Sequence, residues 1–175
     1  MRLFIKVIAA LLNYEGKIFP LSFVCHLDFR TILIFYMKAK VLLKIAAGLI
    51  LIHLIGHGVG HTGWDKPTDP KMMDVVTAMK SHQGEFMGAV HSMADYYKGY
   101  SILIFGLYGM SISLLWFASG FVQEHPAIAI KILYPLGIAY LFFGIVEFMY
   151  FFPFAASISF LAGVLTILSI FIGKR

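Results

Sequence analysis

Charged residues are scarce in this sequence. Asp, Glu, Lys and Arg together make up 13% of its 175 residues, whereas ordinary soluble domains carry about 25%. Hydrophobic residues reach 60%, and the mean hydropathy is +0.85. This composition excludes a disordered chain and argues against a freely soluble globular domain.

Cysteine is almost absent. The single residue, Cys25, excludes an intrachain disulfide, a C-x-x-C zinc knuckle and a dithiol redox pair, because each of these needs a second thiol. The net charge is +5, but no run of basic residues forms a polar face that could follow a phosphate backbone. We therefore predict that the protein has no nucleic-acid partner.

Long stretches without charge are, by contrast, frequent. A membrane-spanning helix needs about 20 mainly apolar residues, because the hydrocarbon core is about 30 Å thick and each helical residue rises about 1.5 Å. Residues 99–122 and 148–173 contain no Asp, Glu, Lys or Arg, and only histidines interrupt the apolar stretch between Lys44 and Asp65. The sequence predicts an all-α fold, a four-helix transmembrane bundle with spans at about 39–60, 100–122, 127–150 and 154–173.

Basic residues next to the predicted spans indicate the orientation, because Lys and Arg are enriched on the cytoplasmic side of membranes. Those at the span ends all fall on one side of the bundle: Lys38, Lys40, Lys44, Lys131, Lys174 and Arg175. The long connection 62–98 mixes Lys with acidic residues instead. We predict an integral protein of the bacterial cytoplasmic (inner) membrane, with both termini in the cytoplasm and residues 62–98 extracytoplasmic.

Residues 1–36 do not fit this scheme, because charges break their apolar stretches before any reaches spanning length. Met37-Lys-Ala-Lys, followed by an apolar run, is typical of a bacterial N-terminus in front of a first membrane helix. We therefore interpret 1–36 as an N-terminal extension that is not made in the cell, and 37–175 as the four-helix membrane domain. The alternative is an amphipathic segment that lies in the membrane interface. A cleaved signal peptide fits less well, because no small-x-small site closes an apolar run.

The connection between the first two spans has a helical pattern. One residue in every three or four forms a stripe: Met72, Val76, Met79, Gln83, Phe86, Val90, Met93 and Tyr97. Pro70 suits the first turn of a helix, and Gly99 suits its end. We predict an extracytoplasmic amphipathic helix from Pro70 to near Gly99, which lies on the outer membrane surface or caps the bundle.

Three histidines, His53, His57 and His61, recur every four residues near the end of the first span. Residues four apart share a helix face, so neighbouring imidazoles could bind one metal ion. All three cannot do so from a straight helix, because the first and last are about 12 Å apart along its axis. The alternative is that they are interfacial histidines, partly solvated and partly hydrogen-bonded to neighbouring helices.

Glu147 is the one acidic residue within a predicted span. A buried carboxylate must be protonated, paired or metal-bound, because an isolated charge in hydrocarbon is costly. If the third span runs outward, Glu147 lies at the depth of the first two histidines, and His91 falls on the same side of the membrane. The candidate metal ligands are therefore His53, His57, His61, His91 and Glu147. The alternative is an interfacial glutamate that reaches headgroup water.

Small residues within the spans predict close contacts between helices. They are Gly56 and Gly60 in the first span, Gly106, Gly109, Ser111 and Ser113 in the second, and Gly137 and Gly144 in the third.

Several sequence features resemble those of a known group of proteins. They are His57-Gly-Val-Gly-His-Thr-Gly63, Tyr97-Lys-Gly-Tyr-Ser101, and the methionines of the connection, Met72, Met73, Met79, Met87 and Met93. Together they resemble a family of small, uncharacterised bacterial four-helix integral membrane proteins and, more distantly, DoxX-type proteins. The resemblance covers 37–175 and leaves 1–36 outside. It implies a four-helix membrane fold and no particular activity.

Three classes of function follow. The leading one is a small integral membrane protein with a ligand site at its outer face, built from His53, His57, Glu147 and His91, that binds a divalent metal ion or the polar head of a quinone or lipid. The second is an accessory or structural membrane subunit without a ligand. The third is a small transporter, which would need to oligomerise because it has four helices and no evident repeat. The expected partners are the lipid bilayer and a second copy or another membrane protein.

Overall fold

The computed structural model describes residues 39–173. The predicted N-terminal extension, 1–36, lies outside the described residues, as do Lys38, Lys174 and Arg175. Within the described range the chain forms five helices and one β-hairpin. Their order is α1 (Ala39–Gly63), α2 (Pro70–Ser81), β1 (Gln83–Phe86), β2 (Ala89–Ser92), α3 (Met93–Phe121), α4 (Pro126–Tyr150) and α5 (Pro153–Gly173).

Helices α1, α3, α4 and α5 are each long and apolar enough to cross a membrane. The predicted all-α, four-helix bundle is therefore confirmed. Helix α5 packs along both α4 and α1, α1 packs along α3, and α3 touches α4 to close the bundle. Pro126 and Pro153 begin the last two helices, where the fixed φ of proline suits a first turn and its missing N–H costs nothing.

The connection between α1 and α3 corrects one prediction. The apolar stripe predicts a single helix from Pro70 to near Gly99, but α2 ends at Ser81 and a hairpin follows. Met87 and Gly88 form the turn of this hairpin with positive φ angles of 51° and 82°, a conformation that a helix cannot contain and that glycine adopts without strain.

A new helix then begins at Met93 because Ser92 caps it. The Ser92 hydroxyl accepts a hydrogen bond from the Asp95 N–H at 3.1 Å, and the Asp95 carboxylate accepts one from the Ser92 N–H at 2.9 Å. This reciprocal pair is a capping box, which satisfies two backbone donors at a helix start. Residues 93–99 therefore belong to α3 rather than to the predicted surface helix.

The centre of the bundle is filled by apolar side chains and a few hydroxyls. The largest fully buried side chains include Tyr140, Leu43, Ile50, Leu115 and Leu133. Buried Thr166 and Ser169 donate their hydroxyl hydrogens to carbonyls of their own helix, at 2.7 Å and 2.6 Å. Many large apolar side chains point outward instead, as expected for helices whose outer surface faces lipid rather than water.

Glycines determine how closely α4 and α5 pack. A Cβ atom at Gly144 would lie 2.8 Å from the backbone nitrogen of Phe160, and one at Gly163 would lie 2.8 Å from that of Leu141. The predicted close contact at Gly144 is thus confirmed, as is that at Gly137, where a Cβ would meet Ile167 at 2.6 Å. These glycines allow the two backbones to approach.

The glycines of α1 and α3 behave differently. In residues 39–173, no atom lies within 4 Å of a Cβ built at Gly56, Gly60, Gly106 or Gly109. The prediction that these glycines pack closely against other helices is wrong for contacts within residues 39–173. Gly56, Gly60 and Gly106 are exposed, on faces of α1 and α3 that contact no other helix of the described chain.

The α1–α2 connection is attached to α2 by an ion pair. Lys80 Nζ donates to Asp65 Oδ2 at 3.0 Å and lies 5.9 Å from the centroid of the Trp64 ring. The hydrogen bond from Lys80 lowers the pKa of Asp65 below its ordinary value of 3.8. Because the pKa is lower in the folded chain, this contact stabilises the fold above the unfolded pKa and is lost as the pH falls through the folded one.

We expect Lys80→Met to return the pKa of Asp65 to its ordinary range, because methionine keeps the length of the side chain and removes the donor. A carboxyl NMR titration of the purified protein measures this change. Lys71→Met on the same helix is the matched control, because the hydrogen bond between Lys71 and Asp69 uses the backbone N–H. An Asp65 titration that is identical in wild type and Lys80→Met would contradict the ion pair.

Candidate functional site

Four polar side chains, one from each long helix, meet inside the bundle. The Tyr108 hydroxyl of α3 donates a hydrogen bond to Glu147 Oε1 of α4 at 3.2 Å. His53 Nε2 of α1 lies 3.4 Å from the Tyr108 hydroxyl and 3.7 Å from Glu147 Oε1. On its other side, His53 Nδ1 lies 3.1 Å from Ser159 Oγ of α5. We call these four residues the interhelical polar site.

The close packing of α4 and α5 positions two members of this site. Glu147 follows Gly144 by three residues, and Ser159 directly precedes Phe160, whose backbone touches Gly144. Because residues three or four apart lie on one helix face, the contact at Gly144 turns Glu147 toward the centre of the bundle. Small residues and the polar site are therefore parts of one packing arrangement.

The interhelical polar site is largely shielded from its surroundings. The side chains of His53 and Glu147 are 11% and 12% exposed. In the part of the chain that the structure describes, His53 is the one basic side chain within 4 Å of Glu147. An ionised Glu147 therefore has a single candidate counter-ion, and it is a histidine that carries charge only when protonated.

Two buried oxygen atoms in this region have no hydrogen-bond partner among residues 39–173. They are Glu147 Oε2 and the hydroxyl of Tyr140, which is fully buried. A buried polar atom without a partner costs about 1–3 kcal/mol. Tyr108 contacts both residues that carry these oxygens. Its ring centroid lies 6.5 Å from that of Tyr140, and its hydroxyl donates a hydrogen bond to Glu147.

A second polar group lies between α1 and α3, closer to the end of α1. The hydroxyl of Ser101 lies 2.7 Å from His61 Nδ1 and 2.9 Å from His57 Nε2. His57 Nε2 is also 3.1 Å from the Ser101 carbonyl oxygen. The ring of Phe105 packs edge-on against both imidazoles, with centroids at 5.0 Å and 5.6 Å. We call His57, Ser101 and His61 the histidine–serine file.

The predicted metal ligands are thus divided among three places. His53 and Glu147 come together, His57 and His61 share Ser101, and His91 lies exposed on β2 beside the ring of Tyr96. Within residues 39–173, no group of three or more His, Cys, Asp and Glu side chains is arranged to hold a metal ion. A metal at these residues stays a prediction.

Sequence reasoning missed the hydroxyls of this region, Ser101, Tyr108, Tyr140 and Ser159. Serine and tyrosine are common in membrane helices, so no single one stands out. A signal was nevertheless present in the spacing: Ser101 precedes Tyr108 by seven residues, and Tyr140 precedes Glu147 by seven. Two helical turns separate each pair, so each pair lies on one helix face.

No protein-family model, curated protein or solved structure matches this chain. The resemblance to DoxX-type proteins therefore stays an expectation drawn from short motifs.

Proposed function

We propose that this small integral membrane protein binds the polar head of a quinone at the interhelical polar site. The observation that carries the proposal is the pair of buried oxygens without partners, Glu147 Oε2 and the Tyr140 hydroxyl. A neutral carboxylic acid avoids the cost of a charge in hydrocarbon. Because Glu147 Oε1 accepts from Tyr108, the acid proton belongs on Oε2.

The protonated Oε2 is then a donor in need of an acceptor, and the Tyr140 hydroxyl, beside which the Ser111 hydroxyl lies, is a second donor. A quinone head supplies two carbonyl acceptors and no donors, so it is the complementary partner. The rings of Tyr108, Tyr140 and Phe143 pack against one another beside these oxygens, and aromatic side chains favour a flat ligand. A lipid ester also offers a carbonyl, but it has no ring to stack on these side chains.

Melting temperatures of the purified full chain in mild detergent test the proposal. We expect a benzoquinone with a decyl tail to raise the melting temperature, because a ligand present at about 100 times its dissociation constant stabilises a fold by about 2.7 kcal/mol. Decylbenzene, with the same tail and no carbonyl, is the matched control. No shift with the quinone, or equal shifts with both compounds, would contradict the proposal.

Two further compounds, added in the same melting experiment, test the alternative ligands. A shift with a decyl ester alone would assign the site to a lipid, and a shift with Zn²⁺ alone would assign it to a metal ion. If the protein carries no ligand and none of these compounds changes the melting temperature, the accessory-subunit and small-transporter alternatives are the remaining ones.

We further propose that α2 and the hairpin are extracytoplasmic in a bacterial inner membrane. The exposed Lys40 near the start of α1 and Lys131 near the start of α4 support this orientation, because both then face the cytoplasm. The interhelical polar site then lies toward the outer half of the membrane, since α1 runs outward past His53.

Cysteine labelling in intact cells tests the orientation. In a Cys25→Ser background, we expect Thr68→Cys, in the α1–α2 connection, to react with a membrane-impermeant thiol reagent before lysis. Gln123→Cys, in the α3–α4 turn, is the matched control and should react only after lysis, because the two exposed positions lie at opposite ends of α3. The reverse labelling pattern would overturn the orientation.

A further inference from the structure

A lysine and a tryptophan meet on the outer surface of the bundle, where α1 packs along α3. Lys44 Nζ lies 5.0 Å from the centroid of the Trp116 ring, and both side chains are exposed. An ammonium group is attracted to the face of an indole ring, so this contact holds the positive charge at the surface. Each residue lies five residues from the end of its helix, Ala39 or Phe121, which is a depth of about 7.5 Å.

One turn nearer to this end of the bundle, each of the two helices carries an exposed residue on the same face. Lys40 precedes Lys44 by four residues, and Gly120 follows Trp116 by four. Residues four apart share a helix face. In the described chain, a Cβ built at Gly120 would meet no neighbouring atom within 4 Å. Two lysines one turn apart therefore have open space on the α3 side.

The polar groups of this surface all donate. Among residues 39–173, neither Lys40 nor Lys44 lies within 4 Å of a carboxylate. The acidic residue that this range places at the same end of the bundle, Glu124, lies in the exposed α3–α4 turn and forms no ion pair with them. Ammonium groups and an indole N–H donate hydrogen bonds and accept none. The surface is therefore complementary to an anion.

Exposed apolar side chains adjoin these donors. Val41 and Ile45 follow the two lysines in α1, and Phe117 follows Trp116 in α3. On a helix that crosses a membrane, such side chains face acyl chains rather than water. A free phosphate ion gains nothing from them, whereas a phospholipid places its chains along them. The anion that fits this surface is therefore the headgroup of a lipid.

We propose that Lys40, Lys44 and Trp116 form a binding site for an anionic phospholipid. The lysines attract its negative headgroup, and the lipid-facing surface of α1 and α3 contacts its acyl chains. Phosphatidylcholine fits less well, because its own quaternary ammonium group offsets the phosphate charge. Lys44 lies nine residues, or about 14 Å along α1, from His53. The lipid site is therefore separate from the interhelical polar site, and it depends neither on quinone binding nor on the orientation in the membrane.

Fluorescence quenching by brominated lipids tests this site in the full chain. The sequence has two tryptophans, so Trp64→Phe leaves Trp116 as the reporter. In mixed bilayers of phosphatidylglycerol and phosphatidylcholine, bromine on the acyl chains of one lipid quenches the tryptophan that this lipid touches. We expect phosphatidylglycerol to bind beside Trp116 about fivefold more strongly or better, since one lysine near an anionic lipid surface contributes about that ratio. The quenching reports a bound lipid and not a free phosphate ion, because the bromine is on the chains.

Variants of the lysines separate a binding site from general attraction to surface charge. Lys44→Gln should lower the preference for phosphatidylglycerol by about fivefold, whereas Lys44→Arg should keep it, because arginine is charged and also stacks on aromatic rings. Lys131→Gln is the matched control, since this exposed lysine lies five residues inside α4 at the same end of the bundle. Quenching by brominated phosphatidylcholine shows that each variant is inserted.

Two results would overturn the lipid site. One is equal quenching by the two brominated lipids in the protein with Lys44 intact. The other is an equal loss of preference in Lys44→Gln and Lys131→Gln, because the headgroup would then respond to the total charge of this end and not to the contact with Trp116.

Discussion

Glu147→Leu is expected to lower the affinity for the decyl benzoquinone by about ten- to a hundredfold, because it leaves a buried quinone carbonyl without its donor, which costs about 1–3 kcal/mol. Glu147→Gln should stay within a few-fold of wild type, since its amide still donates where Oε2 lies and its carbonyl still accepts from Tyr108. Both variants should remain folded, because leucine removes an Oε2 atom that has no partner in the described chain, and the Tyr108 hydroxyl that loses Oε1 still lies 3.4 Å from His53 Nε2. Ligand titration followed by intrinsic fluorescence measures the affinities.

The comparison of the two variants shows whether the ligand needs a hydrogen-bond donor or a negative charge at position 147. If glutamine abolished binding as completely as leucine, the site would need an ionised carboxylate, as a metal ion does. If leucine bound the quinone like wild type, Glu147 would not contact the ligand at all. Either result would contradict the proposed hydrogen bond.

Apolar stretches predicted the membrane helices well because their length is set by the thickness of the bilayer. The hairpin was missed because its strands are short. Apolar residues recur every two positions in a strand and every three to four in a helix, and over four residues the two patterns cannot be told apart. Met72, Val76 and Met79 do lie on α2, but Phe86 and Val90 belong to strands. The positive φ angles at the turn are a local feature that apolar spacing does not report.

The candidate site was predictable in part. The common depth of His53 and Glu147 follows from counting residues along the first and third spans, which run in the same direction, and their side chains do lie near each other. Helix rotation was not predictable, because both helices are apolar on all sides and so have no solvent-facing side that fixes a register. The contact of His57 and His61 with Ser101 rather than with Glu147 was therefore not predicted.

Gly163→Ala is expected to destabilise the bundle by about 1–3 kcal/mol, because the new methyl group would lie 2.8–2.9 Å from backbone atoms of α4 that cannot move aside. Thermal unfolding in detergent measures this loss. Gly56→Ala is the matched control: its Cβ meets no atom within 4 Å in the described chain, so the better helix propensity of alanine should raise stability by up to about 1 kcal/mol.

Equal stability of the two alanine variants would contradict the close packing of α4 against α5. A destabilised Gly56→Ala would indicate instead that the outward face of α1 touches something in the membrane, such as a second copy of the chain. Gly163→Ala should also weaken quinone binding, because the same contact between α4 and α5 positions Glu147 and Ser159.

Photolabelling with an azido-substituted benzoquinone tests the proposed ligand site most directly. After illumination of the full chain in lipid nanodiscs, mass spectrometry identifies the labelled residues. We expect label on α3 around Tyr108 and on α4 between Tyr140 and Glu147, and we expect excess unlabelled quinone to remove it. Label confined to outward-facing residues such as Phe117 and Phe142, or label that unlabelled quinone does not remove, would contradict a quinone site between the helices.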